Sequence, residues 1–250
     1  MTTTFTKITR VPAYRKLANA ITEQILDGRM KEGDSLPTET VLSEMFGVNR
    51  HTVREGIRVL EEANLIRREN SSKKMYISRP SHQETGANIE RALIMHEVTF
   101  AELWEAILAI EPTIARFAAE KCDELILAQM ELNLEKTKMA IKKGESLFAL
   151  DTEFHTLILK MSANMVLNFT RGPIASIFNS ACEKVMKDGS LPTKQLLESH
   201  QAIFKAIRSK NADKAESCMR KHVQDFVNWM KLMGVNIDGG SFRVRPAKLI

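Results

Sequence analysis

The 250-residue chain is poor in cysteine, proline and glycine, holding 3, 7 and 11 of them. With so little proline and glycine, a collagen-like or low-complexity chain is excluded. Cys122, Cys182 and Cys218 are few, odd in number and far apart. A disulfide framework is therefore not expected, and a reducing cytoplasm fits. No run of about 18 apolar residues exists, so no membrane-spanning helix is expected. Met1 to Arg10 is Thr-rich and lacks the apolar stretch of a secretory leader. Internal repeats are absent. So are a His-Glu-x-x-His pair, a nucleophile elbow and a phosphate-binding loop, which removes the commonest signatures of hydrolases and nucleotide enzymes.

What remains is ordinary globular composition, 44% hydrophobic and 27% charged, enough for one large domain or two smaller ones. The net charge of +5 is unevenly placed. Residues 1–80 hold 14 Lys and Arg against 10 Asp and Glu, a net of +4, whereas residues 81–250 hold 22 against 21. The polar stretch around Arg79-Pro80-Ser81-His82 and Gly86 reads as a linker over 79–90. Beyond Arg91, long 3.6-residue patterns run to about Gly234 with almost no strand signal. Pro112, Gly144, Gly172-Pro173, the Asp188 to Pro192 turn and Asn211 are expected to interrupt them. The expectation is a mainly α protein. A flexible arm (1–10) precedes a winged helix-turn-helix domain (11–78). After the linker come an all-α helical bundle (91–235) and a loose basic tail (236–250).

In the first domain, Tyr14, Leu17, Ile21, Ile25 and Leu26 recur at helical spacing, and Gly28 can end that helix. Thr38 is placed to cap a second helix, with Glu39 in its first turn and Val41, Leu42 and Phe46 on its apolar side. Gly47 stops it, Val48 plugs the turn and Asn49 can cap a third helix. There Val53, Ile57 and Leu60 form the buried stripe. His51, Arg54 and Arg58 fall roughly 90–160° from its centre, and Arg50 and Thr52 occupy the first turn. Exposed basic and polar residues at the start of such a helix suit major-groove docking, with Arg matched to guanine edges or phosphates. Leu65 to Arg68 and Met75 to Ile77 read as two strands around a basic tip, Ser71-Ser72-Lys73-Lys74, fit for phosphates.

These residues resemble the signature of the GntR family of transcription regulators. The resemblance lies in Leu36-Pro37-Thr38-Glu39, in Phe46-Gly47-Val48-Asn49-Arg50-His51-Thr52-Val53-Arg54-Glu55, and in Leu60-Glu61-Glu62-Ala63-Asn64-Leu65-Ile66. It implies DNA contacts by Asn49, Arg50, His51, Thr52 and Arg54, and by Lys73 and Lys74 of the wing. Two positions depart from the family: Thr40 replaces a frequent basic residue, and the wing tip lacks glycine.

In the second domain, Asp151 and His155 are four residues apart and share a helix face, where both can reach one ion. His200 and His222 lie on two helices joined by a turn at Ser209-Lys210-Asn211. Three histidines and a carboxylate suit zinc, nickel or cobalt. The spacing alone equally allows satisfied core or surface histidines. The pattern Asp-x-x-Phe-His, Glu-Ser-His and Met-Arg-x-His is similar to the all-helical, FCD-like ligand-binding domain of the FadR-type branch. The tract Glu102 to Ala106 with Ala109-Ile110-Glu111-Pro112 resembles its opening helix. That resemblance implies a divalent metal, zinc or nickel first, on Asp151, His155, His200 and His222, completed by a small carboxylate effector. Organic-acid-binding members commonly carry Arg four residues before the opening-helix Glu, where Ile107 stands here. Ile107 is the expected effector-pocket residue, and Asn164 is expected either to face the pocket or to hold a helix end.

Methionines 130, 139, 161, 165, 186, 219, 230 and 233, with Cys182 and Cys218, are expected mostly in the core. The run Lys136 to Lys143 is expected to be a solvated face. The resulting expectation is a cytoplasmic, homodimeric, ligand-responsive repressor on a palindromic double-stranded operator, not an enzyme. The alternatives are a metal-free pocket for a hydrophobic or acyl effector and, remotely, a metal-dependent hydrolase.

Overall fold

The computed structural model describes residues 11–69, 74–185 and 193–232. The arm 1–10, the wing residues Ser71, Ser72 and Lys73, the Asp188 to Pro192 turn, Met186, Met233 and the tail 236–250 lie outside them. The chain divides into two compact units, Met1–Ser81 and His82–Ile250.

The first unit contains α1 (Ala13–Leu26), β1 (Ser35–Leu36), α2 (Glu39–Phe46), α3 (Arg50–Glu62), β2 (Ile66–Arg68) and β3 (Met75–Ile77). β3 lies between β1 and β2 and pairs antiparallel with both, Leu36 facing Met75 and Ile66 facing Ile77. The two-residue strand β1 is too short to show a period, and no strand is expected there. Both expected caps form. Thr38 Oγ1 accepts from Val41 N–H and Asn49 Oδ1 from Thr52 N–H, which satisfies donors that a helix start leaves unpaired. Gly47 takes φ 62°, a left-handed conformation that glycine adopts without cost.

The core of this unit joins Leu17 and Ile21 of α1, Leu42, Val53, Ile57 and Leu60, and the strand residues Leu36, Ile66, Met75 and Ile77. Val41 and Phe46 are exposed rather than core, and so is Leu26. An eight-residue helix makes about two turns and turns one position, Leu42, inward.

The second unit contains α4 (His82–Met95), α5 (Phe100–Lys121), α6 (Glu124–Lys143), α7 (Phe148–Met161), α8 (Met165–Val185), α9 (Thr193–Arg208) and α10 (Ala212–Leu232). α5 is central, packed against α7, α8, α9 and α10. It opens on a capping box in which Thr99 and Glu102 satisfy each other's backbone N–H. Asp123 caps α6, and Gly144 ends it at φ 67°.

Three expectations are corrected here. Residues 82–90 of the expected linker are helical. The polar stretch is one face of α4, which lies on α8 with His82 stacked on Phe169 at 3.8 Å and Gly86 beside Pro173. Pro112 and Gly172-Pro173 do not end helices but sit inside α5 and α8. Burial in the bundle outweighs the hydrogen bond that each proline omits. Met139 and Met165 are exposed, whereas Met130, Met161, Met219 and Met230 are fully buried. The helical period alone does not say how wide the covered stripe is. Cys182 is buried and Cys218 only half-buried.

The crossing of α1 and α3 depends on a missing side chain. A Cβ at Gly56 would stand 2.7 Å from Leu17 Cδ2 and 3.0 Å from the Tyr14 carbonyl oxygen. Leu17 is itself buried and cannot swing away. Gly56→Ala therefore destabilises the first unit by about 1–2 kcal/mol despite alanine's better helix propensity. Scanning calorimetry should show that unit melting earlier. The transition reported by Trp104 and Trp229, both in the second unit, should stay in place.

Candidate metal centre

Asp151 and His155 project from successive turns of α7, His200 from α9 and His222 from α10. One potential ligand atom from each lies within 4.8 Å of all the others, in a mostly buried cluster. The Nε2 atoms of His155 and His222 face each other at 3.2 Å. His200 Nε2 lies 3.3 Å from Asp151 Oδ1, and His155 Nε2 lies 4.0 Å from it. Ligands about 2.1 Å from an octahedral ion are about 3.0 Å apart when adjacent and about 4.2 Å when opposite, so the cluster can close on one borderline cation and leave positions open.

The other ring nitrogens are held from outside. His155 Nδ1 is 3.1 Å from Glu111 Oε2, and His222 Nδ1 is 2.8 Å from Ser199 Oγ. With Nδ1–H donating outward, each ring turns the lone pair of Nε2 to the centre. His200 is different. It is buried, stacked on Phe154 at 4.0 Å, and neither of its ring nitrogens has a hydrogen-bond partner. The Asp151 contact is near enough but misaligned for a hydrogen bond. A buried imidazole without partners is costly, and an ion at the centre would satisfy its Nε2. The donor set therefore fits a divalent metal.

Electrostatics follow the same arrangement. Burial pushes the Asp151 carboxyl up, but its contact with His200 and the three imidazoles pull it far below the usual carboxylate range. Burial holds His222 well below an ordinary histidine, and the neighbouring His200 and His155 add to that. His200 is also lowered by burial, which Asp151 only partly offsets. His155 goes the other way, since the charge of Glu111 overcomes its burial. Neutral His200 and His222 beside an ionised Asp151 are the protonation states a metal requires, and His155 would give up its added proton on binding one.

Three partners were not foreseen: Ser199, Glu111 and Arg171. Glu111, buried in α5, bridges His155 through Oε2 and Arg171 Nε of α8 through Oε1 at 2.7 Å. A signal for Arg171 was present, since Arg171, Ala175, Phe178 and Cys182 repeat at helical spacing on the covered side of α8. A small cavity of about 60 Å³ adjoins the cluster, lined by Asp151, His155, His222, Glu111, Arg171 and Ile107, with phenylalanines 148, 178 and 226 as apolar walls. Ile107 thus lines the cavity as expected. Asn164 does not, because its Oδ1 caps α8 by accepting from the N–H groups of Val166 and Leu167.

In the first unit, Arg50, His51 and Arg54 are exposed on α3, and Lys74 is exposed beside β3. Arg54 Nε donates to Glu39 Oε2 at 2.8 Å, which reaches across from α2. Asn49 and Thr52 are joined by the cap, the Thr52 hydroxyl also donating to Asn49 Oδ1.

Burial alone would raise the Glu111 carboxyl. The Arg171 guanidinium and His155 more than reverse this and hold it at about 2, against an ordinary value of 4.5. A depressed carboxylate stabilises the fold above its ordinary value and loses that contribution as pH falls through the folded value. In metal-free protein this loss runs from about pH 4.5 down to about 2. Glu111→Gln leaves Arg171 a buried charge without its counter-ion, and should cost about 3 kcal/mol or more near neutral pH. The variant should also lose stability less steeply on acidification. Urea unfolding followed by tryptophan fluorescence at neutral and acid pH checks both.

Two family models match the chain: "Bacterial regulatory proteins, gntR family" over residues 13–72, and "FCD domain" over residues 102–225. The chain is 28% identical to the Uxu operon regulator of Haemophilus influenzae, a match covering 93% of this chain and 89% of that protein. It is 27% identical to the galactonate operon transcriptional repressor of Escherichia coli, covering 78% of this chain and 86% of that protein. Among solved structures, a GntR protein of Streptococcus agalactiae superposes with a TM-score of 0.61 at 26% identity, covering 84% of this chain and 97% of that one. These are regulators rather than enzymes, so the hydrolase alternative falls. The first unit carries the gntR-family match and the second the FCD match, and the chain belongs to the GntR family of transcription regulators, with an FCD domain as its second unit.

Proposed function

We propose that the protein is a cytoplasmic, homodimeric repressor that binds a palindromic operator through its first unit. Its second unit holds a divalent metal, zinc or nickel, on Asp151, His155, His200 and His222, and an organic-acid effector joins that metal. The carrying observation is His200, a buried imidazole with both nitrogens unpartnered, inside a four-residue cluster of ligand spacing. Repression is supported by the galactonate operon repressor among the relatives, and galactonate is itself a hydroxylated organic acid. A palindrome needs a two-fold protein. The effector controls DNA binding by binding one arrangement of the protein more tightly than the other. Asp151, His155, His200 and His222 would hold the ion, which would supply a Lewis-acid position for an oxygen-bearing ligand. The chain's own part is to present neutral imidazoles, fix their tautomers through Glu111 and Ser199, and keep the cavity largely apolar.

For DNA, the proposed readers are Asn49, Arg50, His51, Thr52 and Arg54, with Lys73 and Lys74 at the wing. Arg50→Ala and Arg54→Ala should each weaken operator binding by about 1–3 kcal/mol at matched salt. For Arg54, the Glu39 contact also has to be given up or shared on binding. Mobility-shift titrations with folded variants decide this, and parental affinity in both would overturn it. The full-length protein should sediment as a dimer at micromolar concentration.

For the metal, elemental analysis after zinc or nickel loading and dialysis should give one ion per chain. His200→Ala should lose the ion and the accompanying rise in melting temperature together, because an ion bound only by the folded state stabilises it by mass action. No stoichiometric metal in the parent, with His200→Ala melting like it, would refute the metal reading.

A further inference from the structure

We infer that Arg171 is the carboxylate anchor of the effector cavity, held in position by Glu111, and that the ligand it selects is a small hydroxylated monocarboxylate. This rests on the effector reading above and adds to it a specific residue on a different helix from Ile107.

Arg171 is 6% exposed. A buried guanidinium has five N–H donors to satisfy. Among the described residues its hydrogen bonding is confined to Nε, which donates to Glu111 Oε1. The terminal nitrogens are not among the sealed, unpartnered polar atoms of the fold, and the residue lines the cavity together with Asp151, His155 and His222. The fork that matches a carboxylate is therefore left open toward the cavity, while the inner nitrogen fixes its direction. Bidentate recognition of a carboxylate needs this arrangement.

Glu111 also sets the distance. One of its oxygens contacts the guanidinium at 2.7 Å and the other contacts His155 at 3.1 Å. Anchor and ligand cluster are thus separated by a single carboxylate and a single imidazole ring. A small acid spans that gap, with its carboxylate on Arg171 and another oxygen toward the cluster.

Charge fixes the sign and number. Glu111 and Arg171 cancel. Asp151 would neutralise one of the two charges of a divalent ion, and coordinating imidazoles add none. The loaded cavity keeps one positive charge, which a monoanion completes and a neutral polyol does not. Thr152 and Asn179, joined at 3.2 Å on the same wall, offer a hydroxyl and an amide to ligand hydroxyls.

The test uses full-length, zinc-loaded protein, thermal-shift titration and metal analysis of every variant. The probes are L-lactate and D-galactonate, with galactitol as the uncharged control. Arg171→Lys keeps a positive partner for Glu111 without the fork. The double variant Glu111→Gln with Arg171→Met removes both charges together and guards against misfolding from an unpaired one. The expected result is that at least one acid stabilises the parent and galactitol does not. Arg171→Lys should keep parental metal content and need at least about tenfold more acid for half-saturation, and the double variant, which also frees His155 from Glu111, should lose the acid response when compared at matched metal loading. The proposal is overturned if Arg171→Lys and the double variant respond like the parent, if galactitol stabilises as well as the acids, or if neither acid shifts the parent. A parent that takes up no zinc refutes the metal reading separately. The same comparison on metal-free protein then decides Arg171 by the same outcomes.

Discussion

The second unit depends on one buried carboxylate. Glu111 is 1% exposed in the middle of the central helix, and its two oxygens are bound to two different neighbours, α8 through Arg171 and α7 through His155. A charge in that place is costly unless fully paired. The pairing therefore fixes where α8 sits against α5 and which way the His155 ring points. Replacing the trio with apolar side chains of similar volume need not weaken the fold. What the apolar version would lose is the orientation of His155 Nε2 and the open guanidinium, and both are properties of a site rather than of a core.

The legible part of the sequence follows from local rules. In the first unit, Thr38, Gly47 and Asn49 each act within three or four residues of themselves, so caps and turn are readable from composition at fixed offsets. Asp151 and His155 are readable for the same reason, since an i, i+4 pair needs only that the segment be helical. His200 and His222 required the resemblance, because nothing local says that α9 and α10 bring their rings to α7. Glu111 and Arg171 are 60 residues apart, and no spacing rule joins them. β1 was invisible because two residues carry no period.

The misread residues are not scattered. Pro112 directly follows Glu111, and Gly172-Pro173 directly follows Arg171. Both prolines are expected to interrupt the helical pattern, yet both lie inside long helices at the two halves of the ion pair. Each removes a backbone N–H that would have bonded the carbonyl four residues earlier, of Leu108 and of Phe169. Each also strains the residue before it in a helical conformation. For Pro112 that residue is Glu111, the buried carboxylate itself. Helix propensity and tertiary pairing thus conflict at two places, and those places meet in space. Sequences tend to break local rules where a site demands it.

The size of the cavity bears on how a ligand could act. A volume of about 60 Å³ is close to that of two water molecules in the liquid. A hydroxylated acid of several carbons is larger than this space, so its entry would shift the walls. Those walls belong to α5, α7, α8, α9 and α10, which are the helices brought together by Glu111, Arg171 and the histidines. Packed interiors resist gradual deformation and yield by switching between discrete arrangements. A ligand that fits only the opened arrangement has the unequal affinity that a switch requires. The ion pair that orients the anchor then also ties together the walls that open around the ligand.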